Sequence, residues 1–268
     1  MTQERIVKEH FARMGTDGSY ARFYTDKNTQ LTHDFIARRD RVEDLLQSHM
    51  REGQSVVDVG CGTGPMVEYL CERGLVYHGV DVAEPMLDSI RAAFRGKPYE
   101  GRIHLEVGTS ERVPYPDAKF DILLGMGLLE YLDNMNPTFD KIARLLKPGG
   151  VAILTIPNRQ SLNRFIMRNT QPLTTVYQWF QRKSGAGVSG PASIVHHELR
   201  PRELDKAMMA RGLAPAGRAF YDFKLVVYPF SRLFPALAHS INRRIENRAP
   251  GFFANAYVGC YKKKPVGA

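Results

Sequence analysis

Val56-Val-Asp-Val-Gly-Cys-Gly-Thr-Gly64 decides how the rest of the chain is read. The β-branched run 55–59 predicts a short strand, and the glycines after it predict a tight turn opening a helix over 65–73. Gly60 and Gly62 let the backbone pass close to a ligand, where a Cβ would collide with it. Asp58, at the end of the strand, can accept hydrogen bonds from an ammonium group or from N–H groups of the turn. A second run, 77–80, ends on Asp81, about 20 residues further on, where a carboxylate can take both hydroxyls of a ribose. The glycine spacing is G-x-G-x-G, which is not the dinucleotide fingerprint. The plainer reading of the turn, glycine for geometry alone, is disfavoured by the two acids that accompany it.

The same grammar extends outward. An amphipathic helix is expected at 29–49 and another helix at 84–95. Apolar runs at 103–107, 120–124 and 151–156 read as strands, with a helix at 136–146 and a Lys147-Pro-Gly-Gly150 turn between the last two. Strands alternating with helices of ten or so residues mean βαβ units and a largely parallel sheet, so the fold class is α/β. After Pro157-Asn158 the pattern breaks. Residues 158–195 are polar, basic and loop-like, including the Ser184–Pro191 stretch. A helix at 202–211 closed by Gly212, and strands at 219–227 and 254–261, complete the list, with a second insertion at 228–251. The expected organisation is one domain over 1–268: an N-terminal helical lid at 1–49, a binding core at 50–157, and substrate-side insertions at 158–195 and 228–251.

Composition bounds the function. The 268 residues are 43% hydrophobic and 24% charged, ordinary for a globular protein and unlike a disordered or fibrous chain. No apolar stretch is long enough for a transmembrane helix, and the N-terminus lacks a secretory pattern. Cys61, Cys71 and Cys260 have neither disulfide-scaffold nor metal-ligand spacing; reduced thiols, a cytoplasmic location and no metal are expected. The net charge of +9 is unevenly placed: residues 1–156 carry −4 and residues 157–268 carry +13. Such asymmetry points to an anionic partner for the second half, whether nucleic acid, membrane surface or acidic substrate. No nucleic-acid recognition module is legible, which disfavours the first of these.

Taken together, Val56–Gly64 with Asp58, Val80-Asp81-Val82 followed by Pro85-Met86-Leu87, Val113–Pro116 before Phe120-Asp121, Leu129-Glu130-Tyr131-Leu132 and Leu146–Gly150 resemble the class I S-adenosylmethionine-dependent methyltransferases. The resemblance covers about residues 50–160 and is nearest to the small-molecule, quinone-biosynthesis-like branch known as methyltransferase type 11. It implies a Rossmann-like, mostly parallel seven-stranded sheet with helices on both faces. It also implies S-adenosyl-L-methionine as cofactor and S-adenosyl-L-homocysteine as product. Carried over residue by residue, Gly60 and Gly62 would line the methionine moiety, Asp81 would bind the ribose and Met86 would pack near the adenine. Thr109, Ser110 and Glu111 would hold the adenine edge and Met126 would lie beside the methionine, with Asp58, Cys61 and Val82 in the same set. The family usually has an acid at Thr109, and many relatives have His at Tyr131, which leaves Tyr131 as a catalyst or a packing residue.

Methyl transfer needs alignment and, for a hydroxyl acceptor, a base. His196-His197-Glu198 looks like the family's His-containing segment over the substrate pocket, and His197 is the first candidate base, with His196 the second. Adjacent residues share no orientation easily, so at most one points inward. Tyr20, Arg22, Phe23 and Tyr24 precede the first helix as a candidate cofactor lid. Residues 229–248 place apolar side chains on one helical face and basic ones on the other, with three readings left open: an interfacial membrane helix, a lid or homodimer contact, or a helix packed on its own sheet. The expected reaction is O-methylation of a small hydrophobic or aromatic, and on charge grounds anionic, metabolite. The alternatives are an RNA or protein methyltransferase using the basic half, and N- or C-methylation by proximity alone.

Overall fold

The computed structural model describes residues 2–25, 30–166, 168–169, 194–224 and 250–265, with Leu237, Ser240, Ile241 and Arg244 between them. Most of the 158–195 and 228–251 insertions, including the 184–191 stretch and most of the 229–248 helix expectation, lies outside the described residues.

Three helices come first: α1 (Gln3–Thr16), α2 (Ser19–Thr25) and α3 (Gln30–Leu46). The core then alternates β1 (Ser55–Val59), α4 (Val67–Cys71), β2 (Val76–Asp81), α5 (Glu84–Phe94), β3 (Ile103–Val107), β4 (Phe120–Gly125), α6 (Asn136–Leu145) and β5 (Leu146–Pro157). The chain closes with α7 (Pro201–Met209), β6 (Leu213–Phe223) and β7 (Ala254–Lys263). The strands form one seven-stranded sheet in the order β3-β2-β1-β4-β5-β7-β6. The first five are parallel, and β7 runs antiparallel between β5 and β6.

The central strands are buried because both faces are covered. Successive β1 side chains alternate between two cores. Val56 joins Leu70, Tyr77, Ile122 and Ile153 on one side. Val57 and Val59 join Leu123, Phe139 and Tyr261 on the other. The strand order reverses between β1 and β4, the place where the carboxyl ends of an open α/β sheet leave a crevice for a ligand.

Several boundaries differ from expectation. Tyr20 to Tyr24 lie within helix α2 rather than ahead of the first helix, and α1 precedes them. Helix α4 is shorter than 65–73, because Gly64 is left-handed (φ 69°) and the chain turns through Pro65 before helical bonding begins. Strand β6 begins at Leu213 rather than 219, since β7 is long enough to pair Leu213 with Lys263. A register shift between Pro215 and Gly217 absorbs the proline that cannot donate to the ladder. Strand β5 likewise starts at Leu146, taking in the Lys147–Gly150 turn signal. Among the described residues, no helix is long and apolar enough to cross a membrane, no His, Cys, Asp and Glu cluster could hold a metal, and the three cysteines are free and buried.

Candidate active site

The crevice is built by the turn after β1. Gly60 and Gly62 have φ of 71° and 54°, left-handed values that cost an L side chain about 1–2 kcal/mol. Space forbids side chains as well: a Cβ on Gly60 would meet Leu128 Cδ1 at 3.0 Å, and one on Gly62 would meet Tyr20 Cε1 at 3.0 Å. Asp81 closes the turn from the next strand. Its Oδ2 accepts the Gly62 N–H at 2.9 Å and its Oδ1 accepts the Ala83 N–H at 2.9 Å. Burial raises the Asp81 carboxyl, and backbone N–H groups from Ala83, Gly62 and Val82 pull against that rise. Three backbone donors leave the carboxylate with acceptor capacity for a ligand hydroxyl.

Asp58 sits behind this turn, fully buried. Its Oδ2 accepts the Tyr77 hydroxyl at 2.9 Å, and its Oδ1 has no protein partner. Burial pushes the carboxyl up to about 7, despite the Tyr77 hydrogen bond.

A cavity of about 400 Å³ opens over these groups. Gly60, Gly62, Asp81, Val82, Met86, Thr109, Ser110 and Glu111 line it together. Thr109 Oγ1 accepts the Arg112 N–H at 3.2 Å within its own loop, and the Ser110 hydroxyl bonds that of Thr138 on α6 at 2.8 Å. Asp58, Cys61 and Met126 do not line the cavity. The Cys61 thiol packs inward, where a Cβ on Gly79 would meet Sγ at 3.0 Å, and Met126 belongs to the core. Residues that the sequence did not single out complete the wall: Glu4, Val7 and Phe11 from α1, and Gly127, Leu128 and Leu132 to Asn134 after β4. Nothing in the sequence pairs α1 with a crevice more than forty residues away. Only its apolar face, carrying Val7 and Phe11, hints at a partner.

A second cavity, about 490 Å³, shares Phe11, Tyr20 and Tyr131 with the first. His10, Phe23, Asp34, Phe35, Arg38, Glu130, Arg164, His196, Tyr221 and Asp222 are among the residues that line its remainder. The segment carrying the histidine pair is held in place by the His197 N–H donated to Glu130 O at 2.7 Å and by the Asn158–Leu199 bridge. His196 faces the cavity with its ring 5.0 Å from that of Tyr131. Burial lowers its pKa, with Arg164, His10 and His197 adding to the effect. His197 lines neither cavity; its Nε2 lies 3.5 Å from Asp133 Oδ1. Burial raises the Tyr131 hydroxyl.

Residues 57–154, from β1 to β5, match the family described as the methyltransferase domain. Over that stretch the chain resembles the class I methyltransferases. It is 30% identical to the demethylmenaquinone methyltransferase of Symbiobacterium thermophilum, over 53% of this chain and 59% of that protein. It is 34% identical to the ubiquinone/menaquinone biosynthesis C-methyltransferase of Geobacter sulfurreducens, over 44% of this chain and 46% of that one. The chain thus spans about half the length of the curated relatives it matches. The magnesium protoporphyrin IX methyltransferase of Synechocystis PCC 6803, solved with bound S-adenosylhomocysteine, shares the fold at a TM-score of 0.68 and 15% identity, covering 97% of this chain and 100% of that one. The class I methyltransferase cofactor is S-adenosylmethionine, and the site fits it. Glycines stand where a Cβ would fill the cradle, a buried carboxylate ends β2, and Asp58 Oδ1 is left without a partner.

Proposed function

We propose that this chain transfers a methyl group from S-adenosylmethionine to an oxygen of a small aromatic metabolite held in the second cavity. The observation that carries the reading is the pair of adjoining cavities: a glycine-and-aspartate cradle in one, the His196 imidazole in the wall of the other, and Tyr131 in the wall of both. S-Adenosylmethionine supplies, when bound, an electrophilic methyl group on a sulfonium.

The chain's own residues position and deprotonate. Asp81 receives a ribose diol on its free lone pairs, Gly60 and Gly62 admit the amino-acid end, and Val82 and Met86 offer apolar surface to a base. Thr109, Ser110 and Glu111 border the base edge. Asp58 acts from behind the turn, as a buried acceptor for positive charge. Phe11 and Tyr20 cover the junction and exclude water. Of the two histidines, His196 is the better base, because it lines the acceptor cavity and its lowered pKa keeps the imidazole neutral at pH 7. His197, set beside Asp133, holds the segment.

Transfer to a ring carbon is the second reading, favoured by the relative whose name specifies a C-methyltransferase. A phenol deprotonated by His196 is activated at oxygen and at the ortho carbon alike.

Calorimetry with S-adenosylmethionine and S-adenosylhomocysteine tests the cofactor, and S-adenosylhomocysteine release with a panel of phenols and hydroxyquinones tests the acceptor. No measurable binding of either cofactor form would sink the proposal. A methylated product analysed by mass spectrometry and NMR separates oxygen from carbon transfer.

A further inference from the structure

The second cavity holds a buried cation with no ion-pair partner among the described residues. Arg38 is 7% exposed, and among the described residues no carboxylate forms an ion pair with it. Its guanidinium is fixed on three sides. Nη2 donates to the Tyr24 hydroxyl at 2.7 Å, the group lies 4.5 Å from the Phe35 ring centroid, and Nη1 packs where any Cβ on Gly127 would collide with it. Its Nε has no hydrogen-bond partner.

The other cations around the cavity are committed. Arg164 pairs with Glu198 and also donates to Asn255 O at 3.4 Å. Lys224 pairs with Asp34 at 3.5 Å and with Asp222 at 3.0 Å. Glu130, the carboxyl beside Arg38, has an unpartnered Oε2, and burial pushes it toward its neutral form against the pull of Arg38. The rest of the wall is largely aromatic, with Phe11, Tyr20, Phe23, Phe35, Tyr131 and Tyr221, and the two acids in it, Asp34 and Asp222, are paired with Lys224.

We propose that the second cavity selects an aromatic acceptor bearing a carboxylate, which docks on Arg38 while the ring lies among these aromatic side chains. The inference rests on the reading of this cavity as the acceptor pocket. A buried guanidinium held in one orientation loses little freedom on binding an anion, and a cavity with an unneutralised charge rejects the uncharged analogue.

The test uses the full chain saturated with S-adenosylhomocysteine and titrated with 4-hydroxybenzoate and 6-hydroxy-2-naphthoate, each against its primary amide. At least one acid binds about 10-fold or more tighter than its amide. In Arg38→Gln the gap closes to within about 2-fold, and in Arg38→Lys, which keeps the charge but not the fork, part of it returns. Neither acid binding, acid and amide binding alike, or a gap that survives in Arg38→Gln overturns the proposal. Should Arg38→Gln fail to fold, Arg38→Lys decides: an undiminished gap there overturns it, and a reduced one supports it. Failure of S-adenosylhomocysteine itself to bind overturns the underlying functional reading instead, so the two failures are distinct.

Discussion

The Asp81 carboxylate accepts the backbone N–H of Gly62 at 2.9 Å, so the end of β2 holds the glycine turn that follows β1. A second bond, from the Ala83 N–H, fixes the same carboxylate toward α5. One side chain therefore shapes the cradle and presents the acceptor oxygens for a diol. Asp81→Ala removes both functions. S-Adenosylhomocysteine affinity, measured by calorimetry, is expected to fall at least about 30-fold, equivalent to about 2 kcal/mol. An unchanged affinity would show that the ribose binds elsewhere.

Gly60→Val tests the turn itself. Valine would adopt a left-handed φ of 71° and drive its Cβ to 3.0 Å from Leu128 Cδ1. Loss of detectable S-adenosylhomocysteine binding is expected, with a fall in the melting temperature. Retention of native affinity counts against the cofactor site.

The buried Asp58 carries a pH signature. Burial raises its pKa from 3.8 to about 7 in the folded chain, so between pH 4 and 7 the folded state binds more protons than the unfolded one. Stability therefore falls as pH rises through that window. Asp222, also raised to about 7 by burial and then by Asp34, acts in the same direction. Asp58→Asn should flatten part of the slope and be more stable than the native chain at pH 8, as read from urea midpoints at pH 5 and pH 8. An identical slope in the variant would mean that the carboxyl is ionised throughout.

His196 and His197 are separated by their effect on turnover. His196→Ala is expected to slow transfer to a phenolic acceptor by about 10²- to 10⁴-fold with cofactor affinity kept, and His197→Ala by only a few-fold. Because the His196 pKa is lowered by burial, the rate should hold as pH falls through about 6.5 and drop below it. Equal losses in the two variants would remove His196 from its role.

Much of this arrangement is legible in the chain. The strand, turn and acid at Val56–Gly64 and the acid at Asp81 locate the first cavity, because βα turns and strand ends are set by residues close in sequence. Cys61 and Met126 lay in the right stretches, yet their side chains turn into the core. A motif locates the backbone but does not choose the face. The histidine pair was visible too. Which of the two faces a cavity was not, because residues 194–198 take their course from Glu130 and from Gln3, distant partners along the chain. The start of β6 at Leu213 followed from pairing with β7, a contact across some fifty residues.

The uneven charge shows the same division. Composition alone placed a +13 excess after residue 156, and pointed there for an anion site. Among the described residues, a buried cation without an ion-pair partner is Arg38, on a helix of the acidic half. By itself the sequence determined the fold class and the glycine turn with its two acids, because these depend on local periodicity and on glycines and acids a few residues apart. Only the tertiary structure decided the second cavity, its histidine and its unneutralised arginine. Burial and neutralisation are properties of what packs around a side chain, and the groups around Arg38 come from both ends of the chain.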